Sequence, residues 1–124
     1  VIVKEVKAEA RTGGKPVAQV MAAEAERIER AVPAGDILVA MDEHGRDMTT
    51  VDFSKKISGW KNEGCGVTFI IGGADGLDPA LKAKSRMMLR LSSMTLPHAF
   101  ARVLLTEQIY RAWSILANHP YHRV

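Results

Sequence analysis

Cysteine is almost missing from this sequence: Cys65 is the only one in 124 residues. That excludes an intrachain disulfide and any zinc site built from several thiolates, and it points to the reducing cytosol. No apolar run approaches the roughly 18–20 residues needed to span a bilayer. The opening VIVKEV lacks the basic-then-apolar layout of a secretory signal. It also lacks an initial methionine and begins as though inside a strand, so a truncated or renumbered chain is expected. Disorder is equally unsupported, because 47% hydrophobic and 25% charged residues are ordinary globular values. One domain over residues 1–124 is the expectation at this length.

Acids are nearly missing from the second part of the chain. From Lys82 onward seven Lys and Arg stand against a single acid, Glu107, whereas the preceding 81 residues hold ten against thirteen. A split of this kind points to a polyanionic partner, nucleic acid above all, with a solvated arginine-rich surface as the plain alternative.

What is present alternates between two periodicities. Val1 to Val6 alternates apolar and polar residues like a half-buried strand. Arg11 to Lys15, RTGGK, reads as a flexible loop. Pro16 suits a first helical turn, after which Val17, Val20, Met21, Ile28 and Val32 recur at helical spacing. Pro33, Gly35 and Asp36 break that helix; ILVAMD follows as a buried strand, and Glu43 to Asp47 reads as loop. A second helix is expected from near Thr50, with Phe53, Ile57 and Trp60 on one face, ending at Asn62 to Gly64. VTFIIGG is a strand running straight into glycines. Asp78 and Pro79 form a cap and first-turn pair, and a short last strand is expected over Met88 to Leu91. Pro97 opens a final helix that Asn118 and Pro120 close. The alternation predicts an α/β fold with a mostly parallel sheet flanked by helices and ligand loops at the carboxyl ends of the strands.

Three loops carry possible chemistry. In IIGGADGL, Gly72 and Gly73 leave backbone N–H groups bare for a flat or anionic group. The spacing matches neither the dinucleotide fingerprint nor a P-loop, and a tight turn is the plain reading. In LSSMTLPH, Ser92, Ser93 and Thr95 offer hydroxyls while Leu91, Met94 and Leu96 can wall an apolar slot, a mixture that suits a purine. The plain alternative makes Thr95 a cap for the last helix. His98 would lie in that helix's first turn, where the macrodipole disfavours imidazolium. In the tail, Asn118 to Val124, the pair His119 and His122 is a poor metal site without an acid or a second cysteine nearby. A disordered end and a recognition segment remain, the latter using Tyr121 for stacking, Arg123 for phosphate or a carbonyl, and His122 for proton handling.

Taken together, IIGGADGL, LSSMTLPHAFARVLLTEQIYRAWSI and NHPYHR resemble the ribosomal RNA large-subunit methyltransferase H family of the SPOUT class. The likeness runs from Val1 to Arg123 and is strongest after Val67. The resemblance implies an α/β domain with a carboxyl-terminal trefoil knot, an obligate homodimer, and methyl transfer from S-adenosylmethionine to N3 of a pseudouridine in 23S rRNA. Carried over by motif, the cofactor loops comprise Met41, Gly72, Gly73, Leu91, Ser92, Ser93, Met94, Thr95 and Leu96. His98, Arg111, Tyr121, His122 and Arg123 are the implied catalytic group, with Tyr121 and Arg123 on the uracil-like ring and His122 or His98 taking the proton. The family normally carries another strand and helix ahead of VIVKEV. The alternative is a non-catalytic RNA-binding homodimer.

Overall fold

The computed structural model describes residues 13–72 and 76–122, apart from the side chain of His98. The strand expected over residues 1–6, and the candidates Gly73 and Arg123, lie outside the described residues. Helix α1 spans Val17–Ala31, strand β1 Ile37–Arg46, α2 Thr50–Asn62, β2 Val67–Ile71, α3 Pro79–Lys84, β3 Met87–Leu89 and α4 His98–Leu116. The three strands form one parallel sheet in the order β2-β1-β3.

Period-two alternation in β1 explains its central place. Ile37 and Val39 face one layer and Ala40 the other, and both Val39 and Ala40 are wholly buried. On the first face they join Phe53 and Trp60 of α2, Leu89 of β3 and Ala112 of α4. On the second, Ala40 and Ile70 meet Ala25 of α1, Leu81 of α3 and Leu77 just ahead of α3. Helices therefore cover both faces, as parallel sheets require. Helices α2 and α3 begin with side-chain caps: Thr49 accepts a hydrogen bond from Asp52 N–H, and Asp78 from Ala80 N–H.

Three expectations change. Strand β1 does not stop at Asp42 but continues to Arg46 after an irregularity, where Arg46 pairs with Leu89. Gly45 makes this approach possible, since a Cβ there would come within 2.7 Å of the Leu89 backbone. Strand β3 covers Met87–Leu89 rather than Met88 to Leu91, so Leu91 belongs to the following loop. Val17 does not join the buried face of α1; it is 54% exposed.

The charge split also changes meaning. Lys82 pairs with Asp42, Lys84 with Glu29, Arg86 with Glu63 and Arg90 with Asp47, each a base of the second part on an acid of the first. Arg111 pairs with Glu107. Folding interleaves the two parts of the chain, so the lopsidedness along the sequence becomes neutralised pairs in space.

Candidate functional site

Parallel register places the three carboxyl ends side by side. Met41 pairs with Ile71 on one side and with Leu89 on the other, so Met41, Gly72 and the segment after Leu89 share one edge of the sheet. Crevices outside such ends are where open α/β sheets bind ligands. Gly72 is required by the chain itself: a Cβ would lie 2.4 Å from the Gly76 carbonyl carbon and 2.6 Å from Leu77 N. At Gly72 the loop's own backbone therefore passes too close for a side chain.

Arg90 anchors the start of the second loop. Its N–H bonds Arg46 O, while Nε and an Nη each donate to an Asp47 carboxylate oxygen at 2.6 Å. That fork holds the Asp47 carboxyl below its ordinary range and raises the guanidinium. Beyond it, Met94 N–H bonds Ser92 Oγ. No backbone amide from Leu91 to Leu96 has a backbone partner among the described residues, a donor-rich strip of the kind a purine edge can use. Leu91 and Leu96 are half-buried, but Met94 is 76% exposed and walls no slot within this chain. Nor does Thr95 cap α4, whose N-cap is Pro97 without a side-chain bond. The side chain of His98 lies outside the described residues.

Asp42 borders the same edge, immediately after Met41. Its carboxylate accepts from His44 N–H and from Lys82 Nζ at 3.1 Å, tying β1 to α3. Burial alone raises this carboxyl, and the His44 and Lys82 contacts outweigh burial, leaving it below its ordinary 3.8.

Residues 118–122 turn back against α4. Asn118 turns the chain at φ 56°, and His119 N–H bonds Ser114 O at 2.7 Å. Tyr121 donates its hydroxyl to Glu107, whose two oxygens lie at 3.1 and 3.0 Å, while Arg111 Nε donates to the same carboxylate at 2.5 Å. The Arg111 guanidinium stands 5.0 Å over the Tyr121 ring, and Tyr110 meets that ring edge-on at 4.5 Å. Arg111 Nη1 also lies 3.4 Å from His122 Nδ1. Guanidinium can only donate, so Nδ1 accepts and the proton of a neutral ring is on Nε2. Arg111, Tyr121 and His122 are therefore brought together. Among the described residues their contacts reach α4 and the tail, and none reaches the strand-end loops.

The family profile described as Predicted SPOUT methyltransferase matches residues 1–122. The chain belongs to the SPOUT methyltransferase family. Among its relatives, the ribosomal RNA large subunit methyltransferase H of Ralstonia pickettii (strain 12J) is 59% identical over 121 residues, 98% of this chain and 78% of that protein. The enzyme of that name from Bordetella avium (strain 197N) is 59% identical over 120 residues, covering 97% and 77%. That from Burkholderia cenocepacia (strain HI2424) is 58% identical over 120 residues, again 97% and 77%.

Sequence reasoning missed two residues of this candidate site. Glu107 binds the tail, and the one available signal was its isolation as the only acid after Lys82. Asp42 left no signal, since its partner Lys82 is forty residues away. Among the described residues no group of three His, Cys, Asp or Glu is placed to hold a metal ion, and no helix is long and apolar enough to cross a membrane.

Proposed function

We propose that this chain is an S-adenosylmethionine-dependent methyltransferase acting on N3 of a pseudouridine in the 23S rRNA of the large ribosomal subunit. It works as a cytoplasmic homodimer without a resident metal. The names of the relatives support the rRNA target. The observation that carries the cofactor reading is the register that sets Met41, Gly72 and the amide-rich Leu91 to Leu96 strip along one edge. These residues fit the cofactor: bare amides suit the adenine edge, and the half-buried Met41, Leu91 and Leu96 suit its faces. When bound, S-adenosylmethionine supplies an electrophilic methyl carbon on a sulfonium.

The chain's own task is alignment and charge. Ideal positioning is worth on the order of 7–11 kcal/mol. The target nitrogen must also lose its proton, which cationic groups assist by stabilising the imide anion. Arg111 and Arg123 supply that charge, and Tyr121 and Arg123 hold the ring. His122 can take a proton at Nδ1 once Arg111 turns from it to the substrate, and His98 is the other proton-handling group.

Two features support the homodimer. Helix α4 exposes Phe100, Val103, Tyr110, Trp113 and Leu116, a row that monomers seldom leave in water. It borders an apolar groove of about 1180 Å³ against Ile57 and Lys61 of α2. Among the described residues the hydrogen bonds and ring contacts of Tyr121 and His122 stay on α4 and the tail, which supports a tail that closes the partner's pocket. The trefoil knot belongs to the same proposal. Lys55 and Lys56 of α2 are exposed and carry no ion pair among the described residues, so they suit RNA phosphates.

The test is a radiolabelled methyl assay on ribosomes lacking the modification. Label on 23S rRNA is expected; label on protein or small molecules alone overturns the reading. Ribosome binding with neither label transfer nor calorimetric heat from S-adenosylmethionine would establish the non-catalytic RNA-binding homodimer instead.

A further inference from the structure

A phenol has one proton to donate and lone pairs with which to accept. In Tyr121 that proton is committed: the hydroxyl lies 3.1 and 3.0 Å from the two Glu107 oxygens. An ionised carboxylate cannot return a proton, so the direction of this hydrogen bond is settled by chemistry. The phenol oxygen can then only accept from anything else that approaches. Tyr121 itself is 40% exposed.

We infer that Glu107 is a positioning residue that fixes Tyr121 as a hydrogen-bond acceptor, so that the tail recognises a heterocycle presenting an N–H donor. This deepens the proposed function and rests on it: a uracil-type ring offers an imide N–H where a cytosine ring offers a bare acceptor nitrogen. Glu107 performs a second task through Arg111, whose Nε it accepts at 2.5 Å. It thereby sets the guanidinium over the Tyr121 ring. One carboxylate thus orients both a neutral acceptor and a cation about the same ring. Among the described residues the side chains facing the Tyr121 ring and hydroxyl are Glu107, Arg111 and Tyr110, all on α4. Their combined influence raises the phenol, chiefly through the Glu107 hydrogen bond, which keeps it neutral.

The test combines a double-mutant cycle with a direct titration. The chain has two tyrosines, so in a Tyr110→Phe background the phenolate absorbance reports Tyr121 alone. Glu107→Gln is expected to bring that titration down towards the ordinary 10.0. In methyl transfer to unmodified ribosomes at saturating S-adenosylmethionine, Glu107→Gln and Tyr121→Phe are each expected to lower kcat by roughly tenfold or more. The double variant should be no slower than the slower single one, because the two residues act as a unit. A fully additive double variant, an unmoved phenol, or a Glu107→Gln enzyme with wild-type kcat overturns the inference while wild-type transfer to 23S rRNA leaves the proposed function standing. Absence of transfer by the wild-type protein overturns both.

Discussion

Asp42 shows how a single residue couples the sheet edge to pH. Only 11% of its side chain is exposed, and Lys82 is its salt-bridge partner. Because its folded pKa lies below the unfolded 3.8, its stabilisation is fully present above that value and is lost as pH falls through the lower folded value. Asp42→Asn is therefore expected to show a smaller loss of urea midpoint than the wild type between neutral pH and about pH 3. Two glycines make a contrasting pair. Gly72→Ala forces a Cβ into the Gly76 and Leu77 backbone and should cost about 1–3 kcal/mol, read by urea unfolding, with weaker S-adenosylmethionine binding by calorimetry. Gly59, within α2, has nothing within 4 Å of a built Cβ, and Gly59→Ala should stabilise by about 0.5–1 kcal/mol in the same measurement.

Among the elements, α2 and α4 do the most to position the candidate site. They pack on each other and on one sheet face, and Thr50 Oγ1 donates to Gln108 Oε1 at 2.7 Å across them. The start of α2 rests on Thr49, whose Oγ1 accepts from Asp52 N–H at 3.1 Å. Thr49→Ala should cost about 1 kcal/mol in thermal or urea unfolding, whereas Thr49→Asp should recover most of it, since aspartate accepts the same bond. The segment between β3 and α4 has no such helical ladder. Its entry is instead held by the Arg90–Asp47 fork, the only charged anchor among its described residues.

At the scale of the whole molecule, α4 carries two unlike surfaces. Leu105, Ala112 and Ser114 are buried in the chain, while Phe100, Val103 and Trp113 are largely exposed. If this outer row is the dimer face, Trp113→Lys with Val103→Glu should convert a dimer to a monomer in analytical ultracentrifugation. The helical circular dichroism should stay unchanged, because neither residue supports the core. Methyl transfer should fall with the dimer if the tail completes the neighbouring site. The ion pairs between the early and late parts of the chain bear on the partner as well. With Lys82, Lys84, Arg86 and Arg90 committed to acids, charge along the sequence overstates what is available to RNA.

Local chemistry made most of the elements readable from the sequence. Asp78 and Pro97 were readable as helix starts, and the β-branched run of VTFII is strand by its own packing preference. The family, too, was legible, because IIGG, LSSMTLPH and NHPYHR are strings that need no coordinates. What tertiary structure alone decided were relations between distant positions. The extension of β1 to Arg46 depends on the Leu89 backbone passing against Gly45, and the role of Glu107 depends on a tail that turns back across α4. The meaning of the basic second part changed for the same reason: a charge's partner is set by which elements fold together, and linear position does not record that.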